Sequence, residues 1–340
     1  MRSPSEAPRV RLIEGRSSWR TRALNALLLL TSRAPLRKDT DFAALRRRYE
    51  ALDARHFTVD PLAVRETTVC DGVPSEWINV PESRPGRTLL YLHGGSFAFR
   101  FPNAYAAFAA RLCRRLGARA LIPDYRLAPE HPFPAAPDDC HAAYRWLLAS
   151  GLDARDVVIV GDSAGGNLAL VTLQRARAHL EPQPRCAVLL SPGVDCTFTS
   201  ESFVDNADRD AMLRLSNLLV MRSHYVTAPE MYTHPEVSPL FGDFEGFAPL
   251  FLQAGTTELL RDEALRTAHK AHDAGVDVEV ELWPETPHDF QLAPFLPEAT
   301  QALDQIVKFV VARTGWDAVA PPGPAQLRGW RRAVPRLASG

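Results

Sequence analysis

The residues of this chain best suited to chemistry are one serine, one histidine and a few carboxylates, spread along a sequence of ordinary globular composition. The serine is Ser163. It lies in Gly161-Asp162-Ser163-Ala164-Gly165, which fits G-x-S-x-G. A strand-like run, Val157-Val158-Ile159-Val160, precedes it and a helical stretch follows at once, the setting of a nucleophile elbow. On such a tight turn there is no room for side chains two residues to either side, which accounts for Gly161 and Gly165. The helix N-terminus beneath the serine favours negative charge developing there. A phosphate-binding use of the same glycines fails, because neither G-x-G-x-x-G nor a G-K-[ST] ending is present.

A serine hydroxyl needs a base within hydrogen-bond reach, and the chain order that goes with this elbow is serine, then acid, then histidine. Of ten histidines, His288 is the one in the right topological place, in Glu285-Thr286-Pro287-His288-Asp289-Phe290 after the last expected strand. His224, His234, His269 and His272 fall in an insert or on a helix and read as solvated. The acid is Glu258 or Asp262, which stand one helical turn apart and share a face. Asp289, next to the histidine in sequence, is not expected to reach its ring. Upstream, Leu89-Leu90-Tyr91-Leu92-His93-Gly94-Gly95-Ser96-Phe97 leaves a strand and enters a loop where an oxyanion hole belongs. A tetrahedral intermediate needs N–H donors about 3 Å from its oxygen, and paired glycines let backbone approach that closely. Gly94 and Gly95 are the expected loop donors, with the N–H of Ala164 completing the hole. His93 is expected to brace the loop.

Strands and helices alternate in a way that can hold these residues. A hairpin is expected over 65–70 and 75–80, turning at Asp71-Gly72. Strands follow over 88–92, 118–123, 157–160, 187–190, 250–253 and 276–283. Helices lie over 103–116, 138–149, 164–179, 263–274 and 298–312. Val-, Ile- and Leu-rich strands separated by helices imply a mostly parallel sheet covered on both faces, an α/β fold with antiparallel strands at the hairpin edge. Residues 1–15 lack periodicity and read as a loose arm. Two helices broken at Pro35 are expected over 19–55, with no strand. The domain pattern is an N-terminal helical cap segment (1–60), core (61–195), cap insert (196–236), core (237–316) and tail (317–340). Leu27–Leu30, Phe42, Phe203, Met212, Leu218 and Tyr225 are candidate apolar residues of the cap.

Three motifs in order, His93-Gly94-Gly95-Ser96-Phe97, the run from Asp124 to Ala136 (D-Y-R-L-A-P-E-H-P-F-P-A-A) and Gly161-Asp162-Ser163-Ala164-Gly165-Gly166, resemble the hormone-sensitive lipase family of esterases, in its bacterial G-D-S-A-G branch. The similarity runs from about Glu66 to Ala312. Gly72–Trp77 (G-V-P-S-E-W) further resembles bacterial lactone or acetyl-ester hydrolases. The resemblance implies an α/β-hydrolase fold with a helical cap, and a serine carboxylesterase acting through an acyl-enzyme on short acyl or cyclic esters, without cofactor or metal. It favours Glu258 as the acid, at a position where the family usually has Asp, and it matches His288 to the family's His-x-Phe ending. The family's usual third glycine is Ser96 here, which should alter the pocket rim.

Bulk composition excludes several other classes. Lys and Arg total 39 against 40 Asp and Glu, so nucleic acid is not expected as a partner. The five cysteines are odd in number and unpatterned, against both a disulfide framework and a metal knuckle. The apolar stretch 23–30 is far short of the roughly 20 residues a membrane span needs. It lacks a small-residue cleavage site, so it reads as an amphipathic helix in a cytoplasmic protein. The expected partner is a small ester, and a homodimer is compatible with the sequence. A specialised deacetylase or lactone hydrolase would use the same residues. A non-catalytic receptor on this fold is the rival of a different class, and retention of His288 counts against it. Metal-dependent hydrolysis would need an H-E-x-x-H or clustered ligands, and neither is present.

Overall fold

The computed structural model describes residues 7–31 and 34–320. A nine-stranded sheet runs through it in the order β1-β9-β8-β7-β6-β4-β5-β3-β2. Its centre is parallel: β4 (Thr88–Leu92), β5 (Arg119–Pro123), β6 (Val157–Asp162), β7 (Cys186–Leu190), β8 (Leu250–Gly255) and β9 (Val278–Trp283). Every residue of β4, β6, β7 and β8 is buried, because helices cover both faces. Leu90, Leu92 and Ile159 point into a core shared with α4 (Ala135–Ala149), α5 (Ala164–Ala178) and α8 (Arg261–Asp273). Their neighbours Leu89, Tyr91, Val158 and Val160 point the other way, against α3 (Pro102–Leu116) and α9 (Pro297–Thr314). This is the two-residue alternation of a strand buried on both sides.

The hairpin forms one edge. β2 (Val64–Cys70) and β3 (Val73–Asn79) pair antiparallel, and β3 joins β5 antiparallel. Asp71 and Gly72 both have positive φ, 49° and 84°, as a two-residue hairpin turn of this hand requires. The other edge corrects an expectation. Residues 9–12, read as a loose arm, form β1 (Arg9–Leu12), which pairs in parallel with β9. Arg9 reaches Glu279 and Arg11 pairs with the buried Glu281, so cross-strand charge rather than apolar alternation sets the register.

Helix α1 (Trp19–Thr31) packs its Leu24 against a small core of Trp283, Phe290, Leu296, Ala299 and Ala302. Helix α2 (Phe42–His56) begins at an Asp41 N-cap, whose side chain accepts from the N–H of Ala44. The insert holds α6 (Ser202–Asp205) and α7 (Leu215–Tyr225). All five cysteines are buried free thiols. No helix among the described residues is long and apolar enough to cross a membrane. Of the expected tail, Asp317 pairs with Arg84 and Arg87 and Val319 donates to the carbonyl of Arg115. Residues 321–340 lie outside the described part.

Candidate active site

Ser163 is the single residue between β6 and α5, and its φ of 51° places it in the left-handed region. Its N–H donates to the carbonyl of Leu190 on the neighbouring strand, 2.8 Å away, which fixes the bend. A Cβ on Gly161 would lie 2.2 Å from the carbonyl oxygen of Gly165, and one on Gly165 would lie 1.9 Å from that of Leu92. Both positions must therefore stay bare, for the steric reason inferred from the motif.

The loop after β9 brings His288 to the serine. Nε2 of His288 lies 2.9 Å from Ser163 Oγ, and Nδ1 lies 2.8 Å from Oε2 of Glu258. Oε1 of Glu258 accepts from Ser191 Oγ (2.8 Å) and from the N–H of Gly255, so both carboxylate oxygens are fixed. Asp262 is elsewhere: it accepts from the N–H of Ser202 (2.8 Å) and from Arg261, tying α8 to the insert. Of the two candidate acids, the fold carries Glu258 to the ring.

Two expectations need correction. Asp289 does reach the histidine, because its own φ of 52° turns the chain back and leaves Oδ2 3.2 Å from Nε2. Its Oδ1 is buried without a hydrogen-bond partner. Burial, with Asp162 and Glu258 adding to it, pushes the Asp289 carboxyl well above the usual carboxylate range, although the ring beside it acts the other way. Burial alone would disfavour the imidazolium of His288. The nearby carboxylates of Asp289, Glu258 and Asp210 outweigh it and raise the ring above its ordinary value.

The second correction concerns Gly94. Its N–H donates to Oδ2 of Asp162 at 3.0 Å, so it is not free to meet a substrate oxygen. Oδ1 of the same carboxylate accepts from the hydroxyl of Tyr91 at 2.6 Å. A Cβ at Gly94 would fall 2.3 Å from Asp162 Oδ2, so the glycine is there to let that carboxylate in. The loop N–H groups of Gly95, Ser96 and Phe97 have no partner among the described residues, and φ values of 105°, 53° and 60° curl the chain there, so Gly95 and Ser96 take the place of Gly94 as candidate donors. The N–H of Ala164, first in α5, is likewise unpaired. His93 braces the loop as expected: Nδ1 lies 2.8 Å from the carbonyl of Gly94, and its ring is stacked between Tyr105 and Tyr125. Burial holds that ring neutral, with its pKa lowered to about 4.

Residues 89–292 match the family model of the alpha/beta hydrolase fold. The chain is 38% identical over 242 residues to an acetyl-hydrolase of Streptomyces hygroscopicus, covering 71% of this chain and 80% of that protein. It is 35% identical over 295 residues to an esterase of Acinetobacter venetianus, covering 86% and 97%. Among solved structures, an esterase from the bacterial hormone-sensitive lipase family matches with a TM-score of 0.82 and 35% identity, covering 88% of this chain and all of that one. The chain belongs to the hormone-sensitive lipase family of α/β-hydrolases. It is a carboxylesterase-type hydrolase.

In this member of the lipase family, several residues around the site escape a reading based on motifs. Asn206 of the insert donates to the carbonyls of Thr256 (3.1 Å) and Glu258 (2.8 Å). Asp210 accepts from the N–H of Leu259 at 2.8 Å, and Ser202 donates to the carbonyl of Leu259 at 2.6 Å. The insert thus clamps the loop of Glu258. Its one sequence signal is the cluster of Asp and Asn at 205–210. Asp162 had a clearer signal, an acid inside the elbow motif itself.

The cap forms where α2 meets α7. Phe42, Phe99 and Met221 share one cluster with Ala98, and Arg46 donates to the carbonyl of Ala98 at 2.6 Å, so the cap rests on the chain immediately after the His93–Phe97 loop. Tyr225 stacks on Phe97 with centroids 3.7 Å apart. Phe203 packs instead with Leu259 and Leu260, with Leu218 against them. Met212 is exposed, and Leu27 and Leu30 of α1 are too, so these three do not close the cap.

Proposed function

We propose that Ser163 is the nucleophile of this ester hydrolase, His288 its base and Glu258 the acid behind the base. The observation that carries the reading is the continuous line from Ser163 Oγ through His288 to Glu258, with contacts of 2.9 and 2.8 Å. As Oγ attacks the acyl carbon, its proton passes to Nε2 of His288, and Glu258 stabilises the imidazolium formed. The carbonyl oxygen becomes an oxyanion held by the N–H groups of Gly95, Ser96 and Ala164. The ring then gives its proton to the departing alkoxide, and the C–O bond breaks to leave an acyl-Ser163. Water repeats the sequence: its proton goes to His288, its oxygen to the acyl carbon, and Oγ leaves with the proton returned.

The substrates are esters with a short acyl chain or a cyclic ester. Ser163 and His288 are only 8% and 5% exposed beneath the cap, which suits a small molecule and not a polymer. The acetyl-hydrolase named above supports an acetyl group as the first one to try. A lactone or a specialised acetylated metabolite would use the same groups. With p-nitrophenyl acetate, one equivalent of p-nitrophenol per protein should be released in a burst before the steady state. Turnover without any acyl-enzyme, sought by rapid acid quench and mass analysis, would contradict the mechanism.

A further inference from the structure

The outer face of α1 is left unused by everything derived so far. Trp19, Ala23, Ala26, Leu27 and Leu30 are all exposed, with Trp19 at 69%, Leu27 at 56% and Leu30 at 83%. At about 100° per residue these five positions fall on one stripe. Phe295, 54% exposed, lies beside the stripe and shares a shallow trough with Trp19, Ala23, Leu24 and Leu27. The inner face of the same helix is firmly held: Thr21 and Ser18 bond to Glu298, and Asn25 donates to the carbonyl of Glu285. The apolar stripe is therefore a fixed surface on an anchored helix.

The charge carried by the helix itself and by the chain beside it is one-sided, the carboxylates of Glu285 and Glu298 lying against its inner face. Between Gly15 and Lys38 the sequence has six Arg and Lys and no Asp or Glu, in a chain whose overall net charge is −1. Arg20 and Arg22 fall on opposite flanks of the stripe, and Arg16 precedes it. None of these three enters an ion pair among the described residues; Arg20 donates to the carbonyl of Phe295. We infer that the outer face of α1 docks on an anionic lipid surface, with Trp19, Leu27 and Leu30 entering the headgroup boundary and the flanking arginines meeting lipid phosphates. A second copy of the chain fits poorly, since a twofold contact through this stripe would set Arg20 and Arg22 against like charges. Ser17 and Asn25 both bond to Glu285, three residues before His288, so the docked face adjoins the loop that carries the histidine.

The test uses the full chain and vesicles, and it does not depend on the chemistry at Ser163. Co-sedimentation is measured with vesicles of phosphatidylcholine containing about 30% phosphatidylglycerol, and with phosphatidylcholine alone, at low salt and at about 0.5 M NaCl. Binding to the anionic vesicles is expected, weaker by about tenfold or more on the neutral ones and in high salt. Combining Trp19→Ser, Leu27→Gln and Leu30→Gln should remove at least about tenfold of the binding. Hydrolysis of soluble p-nitrophenyl acetate and the melting temperature should stay unchanged. Absence of wild-type binding, or binding that survives the triple substitution, overturns the inference. So does a dimer, seen by light scattering without vesicles, that the same substitutions dissolve.

Discussion

Three carboxylates, Glu258, Asp262 and Asp289, compete for a role beside the imidazole, and their positions separate them. Glu258 holds Nδ1 with both of its oxygens fixed, whereas Asp262 spends its carboxylate on Ser202 and Arg261. Glu258→Gln should lower kcat by about 10⁴-fold, as amidation of a triad acid does. Asp262→Asn should leave kcat within a few-fold and show its effect in the melting temperature; steady-state kinetics and thermal unfolding of both variants decide it. Asp289 acts on the proton. The ring must be neutral to accept the serine proton, and the carboxylates around it raise its pKa, so kcat/KM should climb with pH through a value above that of free imidazole. Asp289→Asn removes a group that in its ionised form favours the imidazolium, so the acidic limb should move to lower pH by roughly one unit. A limb that stays in place in a pH–rate profile would contradict this. The sequence singled out Ser163, His288 and the two candidate acids because each sits in a motif of recognisable local geometry. It misplaced Gly94 because adjacent N–H groups in a curled loop point in different directions, and only the position of Asp162 shows which one is taken.

At the level of elements, the core strands were legible because burial on both faces demands continuous apolar runs, and β6 and β7 are such runs. β1 was not legible. It has four residues, all exposed, two of them arginine, and the partner that Arg11 finds on β9 is 270 positions away. Its contribution is to close the edge of β9 and to cover Glu281. Deleting residues 2–13 should lower the melting temperature and produce concentration-dependent association, because the β9 edge would be left open to pairing with another chain. Thermal scans and light scattering at several concentrations measure both effects; an unchanged melting temperature would show that β1 contributes no stability. The insert is another element whose use could not be read in advance. Its Asn206 and Asp210 contact the backbone of the Glu258 loop, and such contacts leave no periodic trace in sequence.

Taken as a whole, the molecule brings the proposed catalytic residues together at one end of the sheet. The parallel strands β4, β6 and β8, together with β9, end in the loops that carry His93–Phe97, Ser163, Glu258 and His288. The cap of α2 and α7 then closes over the first of these loops. Ligand sites at the carboxyl ends of parallel strands follow from the topology of open α/β sheets, which is why fold class and site could be anticipated together. Division of labour between the two N-terminal helices could not, because it depends on what each of them touches in the folded chain. The proposed reaction depends above all on attack by Ser163, activated by His288. Treating the whole protein with a p-nitrophenyl alkylphosphonate and mapping the adduct by peptide mass spectrometry identifies the attacking group. One phosphonyl group per chain, located on Ser163 and absent when His288→Ala is treated in the same way, is the expected result. A stoichiometric adduct on any other residue, or inhibition with Ser163 left unmodified, would contradict the account.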